Sequence, residues 1–223
     1  MTREQVRNRI VEIGIVPVVR AASAQQAIQA AEAVCAGGIP IVEITMTVPG
    51  AIDVIALLAK SMGQEVLIGA GTILDADAAQ RSMDAGAEFL VSPGFDLATV
   101  QLAKLRGKLM MAGALTPTEV ITAWKAGSDF VKIFPCGSVG GAKYIKALKA
   151  PLPQVSMIPT GGVNINTAAD FIQAGADALG IGGELVSAAA LKSGNVKAIS
   201  EAARQYVAIV REARRGATAP PPD

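Results

Sequence analysis

Short runs of β-branched and aliphatic residues alternate along this chain with longer, alanine-rich stretches whose apolar positions recur at helical spacing. The short runs predict eight strands, over 15–20, 39–45, 66–69, 88–91, 109–112, 129–134, 155–158 and 177–181. Between them the pattern predicts helices over 24–35, 51–61, 75–85, 97–105, 117–125, 142–148 and 165–173. A charged surface helix is expected over residues 1–13, and an amphipathic helix from about 185 to 215. Strict strand–helix alternation argues for a parallel sheet with crossover helices.

An Ala-Gly pair recurs at Ala36-Gly37, Ala85-Gly86, Ala126-Gly127 and Ala174-Gly175, each time between a helix and a strand, where a left-handed glycine ends a helix. The repeat marks every second strand, so eight strands fall into four similar pairs, and the expected fold is α/β, a closed (β/α)8 TIM barrel with an N-terminal helix. An open doubly wound sheet is the alternative. It ranks second because no Gly-x-Gly-x-x-Gly opens a helix after the first strand.

Composition narrows what such a barrel does. At 223 residues a single domain over 1–215 is expected, followed by a flexible tail over 216–223 in which three consecutive prolines forbid a helix. The 20 basic and 19 acidic residues nearly cancel, and no basic block appears, which argues against nucleic acid and anionic membranes as partners. The longest uncharged run, 150–169, is broken by prolines and glycines and is no membrane span, so a cytoplasmic protein is expected. A 51% hydrophobic content hints at a buried subunit interface. Histidine is absent, so acid–base work falls to carboxylates, lysines, tyrosines or water, and a histidine-ligated metal is excluded. Cys35 and Cys136 have no metal-site spacing; Cys136 lies near the sixth strand, and nothing basic adjoins it to activate the thiol.

The candidate chemistry centres on Phe130-Val131-Lys132-Ile133-Phe134. In a strand, Phe130, Lys132 and Phe134 share one face and Val131 and Ile133 the other. An ammonium among apolar groups loses hydration, which favours the neutral, nucleophilic amine. A lysine near a strand end also snorkels to water without function, and that reading stands beside the first. By the same alternation Glu43 and Thr45 point inward, as do Val16, Val18 and Arg20. Arg20, Glu43 and Lys132 thus converge near the carboxyl ends of strands one, two and six, where barrel enzymes place their sites. A buried Glu43–Lys132 ion pair that only sets packing is the structural alternative. Glycine-rich turns follow strand three (Gly69-Ala70-Gly71-Thr72), strand seven (Thr160-Gly161-Gly162) and strand eight (Gly182-Gly183). The last two occupy the usual barrel phosphate position, although glycine in a tight turn needs no ligand.

Five motifs, Ile-Val-Glu-Ile-Thr at 41–45, Gly-Ala-Gly-Thr at 69–72, Val-Ser-Pro-Gly at 91–94, Phe-Val-Lys-Ile-Phe-Pro at 130–135 and Pro-Thr-Gly-Gly-Val at 159–163, occur in the order and spacing of a known family. Over residues 13–186 the chain resembles the class I aldolases for 2-keto-3-deoxy-6-phosphogluconate and 4-hydroxy-2-oxoglutarate. The resemblance implies Lys132 as Schiff-base lysine and Glu43 as general acid–base. It implies Thr72, Pro93 and Phe134 around the pyruvate end and Thr160, Gly161, Gly162 and Gly182 around the phosphate; Thr45, Gly183 and Arg20 are the further expected substrate contacts, with the planar fork of Arg20 suited to a carboxylate. It further implies a homotrimer without metal or cofactor, acting on a small 2-keto acid in the Entner–Doudoroff pathway. Two positions depart from the family pattern. Thr47 stands where one branch has arginine, and Gly183, followed by Glu184, stands where many members have serine. Cleavage of the phosphorylated substrate to pyruvate and glyceraldehyde 3-phosphate is the first expectation, with 4-hydroxy-2-oxoglutarate, giving pyruvate and glyoxylate, as the alternative. From other classes, a phosphosugar isomerase or synthase barrel whose lysine merely pairs with a phosphate, and a non-catalytic metabolite-binding barrel, stay open.

Overall fold

The computed structural model describes residues 1–217. The helices are α1 (Arg3–Ile13), α2 (Ala24–Ala36), α3 (Ala51–Met62), α4 (Ala76–Asp84), α5 (Leu97–Leu105), α6 (Pro117–Ala126), α7 (Ala142–Lys149), α8 (Ala168–Gln173), α9 (Ala188–Ser193) and α10 (Val196–Ala217). The strands are β1 (Ile15–Val19), β2 (Ile41–Thr45), β3 (Leu67–Gly71), β4 (Phe89–Val91), β5 (Leu109–Ala114), β6 (Phe130–Ile133), β7 (Met157–Pro159) and β8 (Leu179–Ile181). All eight strands are parallel, in the order β7-β6-β5-β4-β3-β2-β1-β8, and a bridge between Thr160 and Gly180 joins the two ends. The result is the (β/α)8 barrel, with its N-terminal helix, that the alternation predicts.

Local chemistry explains where the elements start and stop. Thr2 with Gln5, and Thr116 with Glu119, form capping boxes that satisfy the first free N–H groups of α1 and α6. Ser23, Asp75, Asp96 and Ser187 accept from the third helical N–H of α2, α4, α5 and α9. The strands are buried on both faces, as parallel strands between helices and barrel interior must be. The apolar side of α1 buries Val6 and Ile10, and Arg7 of the same helix lies 5.3 Å from the Phe130 ring centroid and donates to Ser156 at 2.8 Å. This helix therefore closes the amino-terminal end of the barrel.

Several boundaries differ from the expectation, each for a visible reason. The helix expected over 185–215 is two helices, because Gly194 adopts φ 71° and ends α9 with its N–H on Ala190 and Leu191. The second of these, α10, includes Gly216 and Ala217, two residues of the expected tail; 218–223 lie outside the described residues. Strand β7 starts at Met157 and not at 155, since Val155 is held in a turn by Leu152. Strand β3 continues to Gly71, so the glycines expected to form a turn are strand residues. Of the four Ala-Gly glycines, Gly86, Gly127 and Gly175 have positive φ, whereas Gly37 is right-handed and Gly38 makes the reversal.

Candidate active site

Strand register decides which side chains face the barrel interior. Glu43 on β2 pairs with Gly69 on β3, and Lys132 on β6 pairs with Gly113 on β5, so Gly69, Gly71 and Gly113 share the inward face with the two ionisable residues. These glycines make room. A Cβ at Gly71 would fall on the Glu43 carboxylate, one at Gly69 on the Phe89 ring, and one at Gly113 on the Pro93 backbone. The bare backbone at Gly71 thus leaves the space that the Glu43 carboxylate occupies.

Lys132 is 4% exposed and Glu43 2% exposed. Burial pushes the Lys132 amine below the usual lysine range; Glu43 opposes that shift and Arg20 adds to it. Burial likewise raises the Glu43 carboxyl above its ordinary value, against the pull of Lys132 and Arg20. The two groups sense each other's charge, yet no ion pair joins them among the described residues. Glu43 Oε1 is buried with no hydrogen-bond partner among the described residues. A carboxylate oxygen left bare in a dry interior costs stability, and the arrangement leaves it free to take a proton from a molecule placed between it and the amine. The structural alternative, a packing ion pair, does not describe this geometry.

The two rings beside the lysine divide. The Phe134 ring centroid lies 5.3 Å from Lys132 Nζ at the mouth, whereas Phe130 points to the closed end and stacks with Arg7. Thr72 has φ 58°, the one positive φ outside glycine among the described residues. For a β-branched residue this is a costly conformation, of the kind that packed surroundings hold in place at functional sites. Pro93 sits half-buried after β4, against the bare Gly113. Thr45 is buried, and its hydroxyl donates to the Val19 carbonyl at 3.0 Å and lies 2.7 Å from the Thr47 hydroxyl.

Arg20 is placed differently from expectation. Strand β1 ends at Val19, so Arg20 is not inside the barrel but exposed on its rim, where its guanidinium lies 3.2 Å from the Cβ position of Gly182. It forms no ion pair among the described residues. Thr160 is buried against Gly180, and Gly161 and Gly162, both at positive φ, follow it; Gly182 and Gly183 begin the turn after β8. Cys136 is buried and its thiol is pushed up to about 11 by burial, which makes it an inert packing group. Sequence reasoning missed Gly113 as the space-maker beside Lys132. Its signal was a lone glycine between two alanines in an otherwise apolar strand, legible only once the register is known.

Residues 6–202 match the family model described as KDPG and KHG aldolase. The chain belongs to the KDPG and KHG aldolase family. It is a class I aldolase, a carbon–carbon lyase, as its motifs imply. A 2-dehydro-3-deoxy-phosphogluconate aldolase of Treponema pallidum is 33% identical over 89% of this chain and 94% of its own length. A KHG/KDPG aldolase of Escherichia coli is also 33% identical, over 86% of this chain and 90% of its own. Among solved structures, a KDPG aldolase of Legionella pneumophila, with pyruvate captured as a covalent carbinolamine, superposes with a TM-score of 0.82 at 29% identity, over 90% of this chain and 97% of that one. Among the described residues, no helix is long and apolar enough to cross a membrane.

Proposed function

We propose that the barrel cleaves 2-keto-3-deoxy-6-phosphogluconate to pyruvate and glyceraldehyde 3-phosphate, with Lys132 as nucleophile and Glu43 as the proton carrier. The observation that carries this reading is a buried amine and a buried carboxylate on the same barrel interior, with no ion pair between them and one carboxylate oxygen without a partner among the described residues. Neutral Lys132 attacks the C2 carbonyl carbon, and the carbinolamine loses water to give an iminium. Glu43, directly or through one water, takes the C4 hydroxyl proton. The C3–C4 electron pair then flows into the iminium, the aldehyde leaves, and an enamine remains. The proton held on Glu43 returns to C3, and water hydrolyses the iminium to free pyruvate and the amine. Thr72, Pro93 and Phe134 bound the pyruvate end, Arg20 holds an anionic oxygen, and the loops at 160–162 and 182–183 hold the phosphate; Thr45 acts by fixing the end of β2 through Val19.

A second substrate, 4-hydroxy-2-oxoglutarate, is favoured by one observation: Gly183 offers no hydroxyl, and Glu184 beside it is exposed next to the phosphate loop. The Escherichia coli relative is named for both substrates. A homotrimer working in the cytoplasm completes the proposal. Its supports are exposed Leu74, Leu97, Val139 and Ile165 on the loops and helix start at the carboxyl-terminal face, and bacterial metabolic enzymes as relatives. A single domain over 1–215 is part of the same reading.

Borohydride added with pyruvate should leave a stable adduct that maps to the Lys132 peptide. An unmodified Lys132, or a phosphosugar that binds without covalent trapping, would overturn the proposal. Comparing kcat/KM for the two keto acids decides the substrate.

A further inference from the structure

Beside the mouth, between the end of β1, the loop after β2, the start of α2 and α9, lies a cavity of about 520 Å³ lined by Arg20, Ala21, Gln26, Thr47, Leu191 and Lys192, among others. Its polar groups are sorted by type. The Gln26 carbonyl oxygen accepts from the Ala22 N–H at 3.2 Å, which leaves its NH2 to donate elsewhere. The Thr45 hydroxyl proton is spent on Val19, so at the 2.7 Å contact between the threonines Thr47 must be the donor, and only lone pairs of Thr47 remain for a ligand. Neither Arg20 nor Lys192 forms an ion pair among the described residues. A cavity with two unpaired cations, one amide donor, one acceptor hydroxyl and an alanine–leucine wall is built for an anion that carries a neighbouring hydroxyl. Two contacts join it to the barrel mouth: the Arg20 guanidinium lies 3.2 Å from the Cβ position of Gly182, and Thr47 lies 2.7 Å from Thr45 at the end of β2.

We infer that this cavity flanks the distal end of the substrate, so that beside the loops at 160–162 and 182–183 and Arg20, Lys192 gives a second positive charge to the terminal phosphate or carboxylate and Thr47 accepts a hydrogen bond from a substrate hydroxyl. The inference rests on the aldolase reading and deepens it. It places this cation on α9, the helix capped by Ser187, and not in the turn at Gly182 and Gly183. Distal-anion recognition then depends on a residue outside the phosphate loops.

Steady-state kinetics of Lys192→Gln test this with three substrates: 2-keto-3-deoxy-6-phosphogluconate, 4-hydroxy-2-oxoglutarate and the neutral-tailed 2-keto-3-deoxygluconate. The expected result is a KM raised roughly 10-fold for the anionic tails, kcat nearly constant, and no change for the neutral tail. Whichever anionic tail shows the larger rise is the one the cavity is sized for. Lys192→Arg should restore KM, and the rise of KM with salt should be shallower in Lys192→Gln than in the parent. Thr47→Val should raise KM several-fold, and Thr47→Ser should not. An unchanged KM in Lys192→Gln, an equal rise for the neutral tail, or an equal rise for pyruvate in the condensation direction overturns the inference. If the parent still traps pyruvate on Lys132 in that case, the aldolase reading stands; a parent that does not trap pyruvate overturns both.

Discussion

The two ends of the barrel treat charge in opposite ways. At the amino-terminal end buried and half-buried charges have partners: Arg3 bonds Asp129 at 2.6 Å, Lys108 bonds Glu88 at 3.0 Å, Lys149 bonds Asp177 at 3.1 Å, and Arg7 rests on Ser156 and the Phe130 ring. Asp129 and Asp177 also accept from the Met110 and Met157 N–H groups, both at 2.9 Å, so these acids stitch helices to strand beginnings. At the carboxyl-terminal end Lys132, Glu43 and Arg20 make no ion pair among the described residues, one carboxylate oxygen is bare, and Thr72 holds a costly backbone conformation. The closed end spends its polar groups on stability, and the open end withholds them for a ligand, which is where natural sequences tolerate local conflict.

Substitutions at each end should therefore separate activity from stability. The largest effect is expected at Lys132: Lys132→Ala should remove cleavage altogether in steady-state assays, since no second lysine is buried among the described residues. Glu43→Gln should still form the borohydride adduct but turn over about 10²–10⁴-fold more slowly. Equal turnover would reassign the proton carrier. Gly71→Ala places a methyl on the Glu43 carboxylate. It should cost kcat on the order of 10-fold or more through displacement of that group, with the adduct still formed. At the other end, Asp129→Ala should leave kcat within about twofold but cost roughly 2 kcal/mol in denaturant unfolding, because it strands Arg3 and the Met110 N–H. The smallest effect is a gain. Lys132→Met removes a buried amine whose folded pKa is depressed, and should raise Tm by about 2–4 °C. The sign follows from linkage: between the depressed pKa and 10.5 the unfolded chain binds the extra proton, so parental stability rises with pH through that window and the advantage of Lys132→Met shrinks there. An advantage that grows with pH would contradict the burial of the amine.

Much of this contrast was legible in the residue pattern. Alternation placed Glu43, Thr45 and Lys132 inward because the period of a strand is two, and it needed no partner strand to do so. Arg20 was misplaced because alternation says nothing of where a strand ends, and β1 stops one residue earlier. The meaning of Gly71 and Gly113 was hidden for a related reason. Each is defined by a neighbour across the sheet, Glu43 or Pro93, and cross-strand register is absent from local periodicity. Lys192 and Gln26 belong to no motif of the sequence; only the packing of α9 against the start of α2 brings them to one cavity.

The central claim is that the Lys132 amine is uncharged enough to react because the barrel keeps it dry, and the pH dependence of its capture measures this directly. The rate constant for borohydride trapping of pyruvate on Lys132, followed in single-turnover mixes by intact mass, should climb to a plateau well below pH 10.5. A rate that climbs only around pH 10.5, as for a lysine in water, would contradict the account.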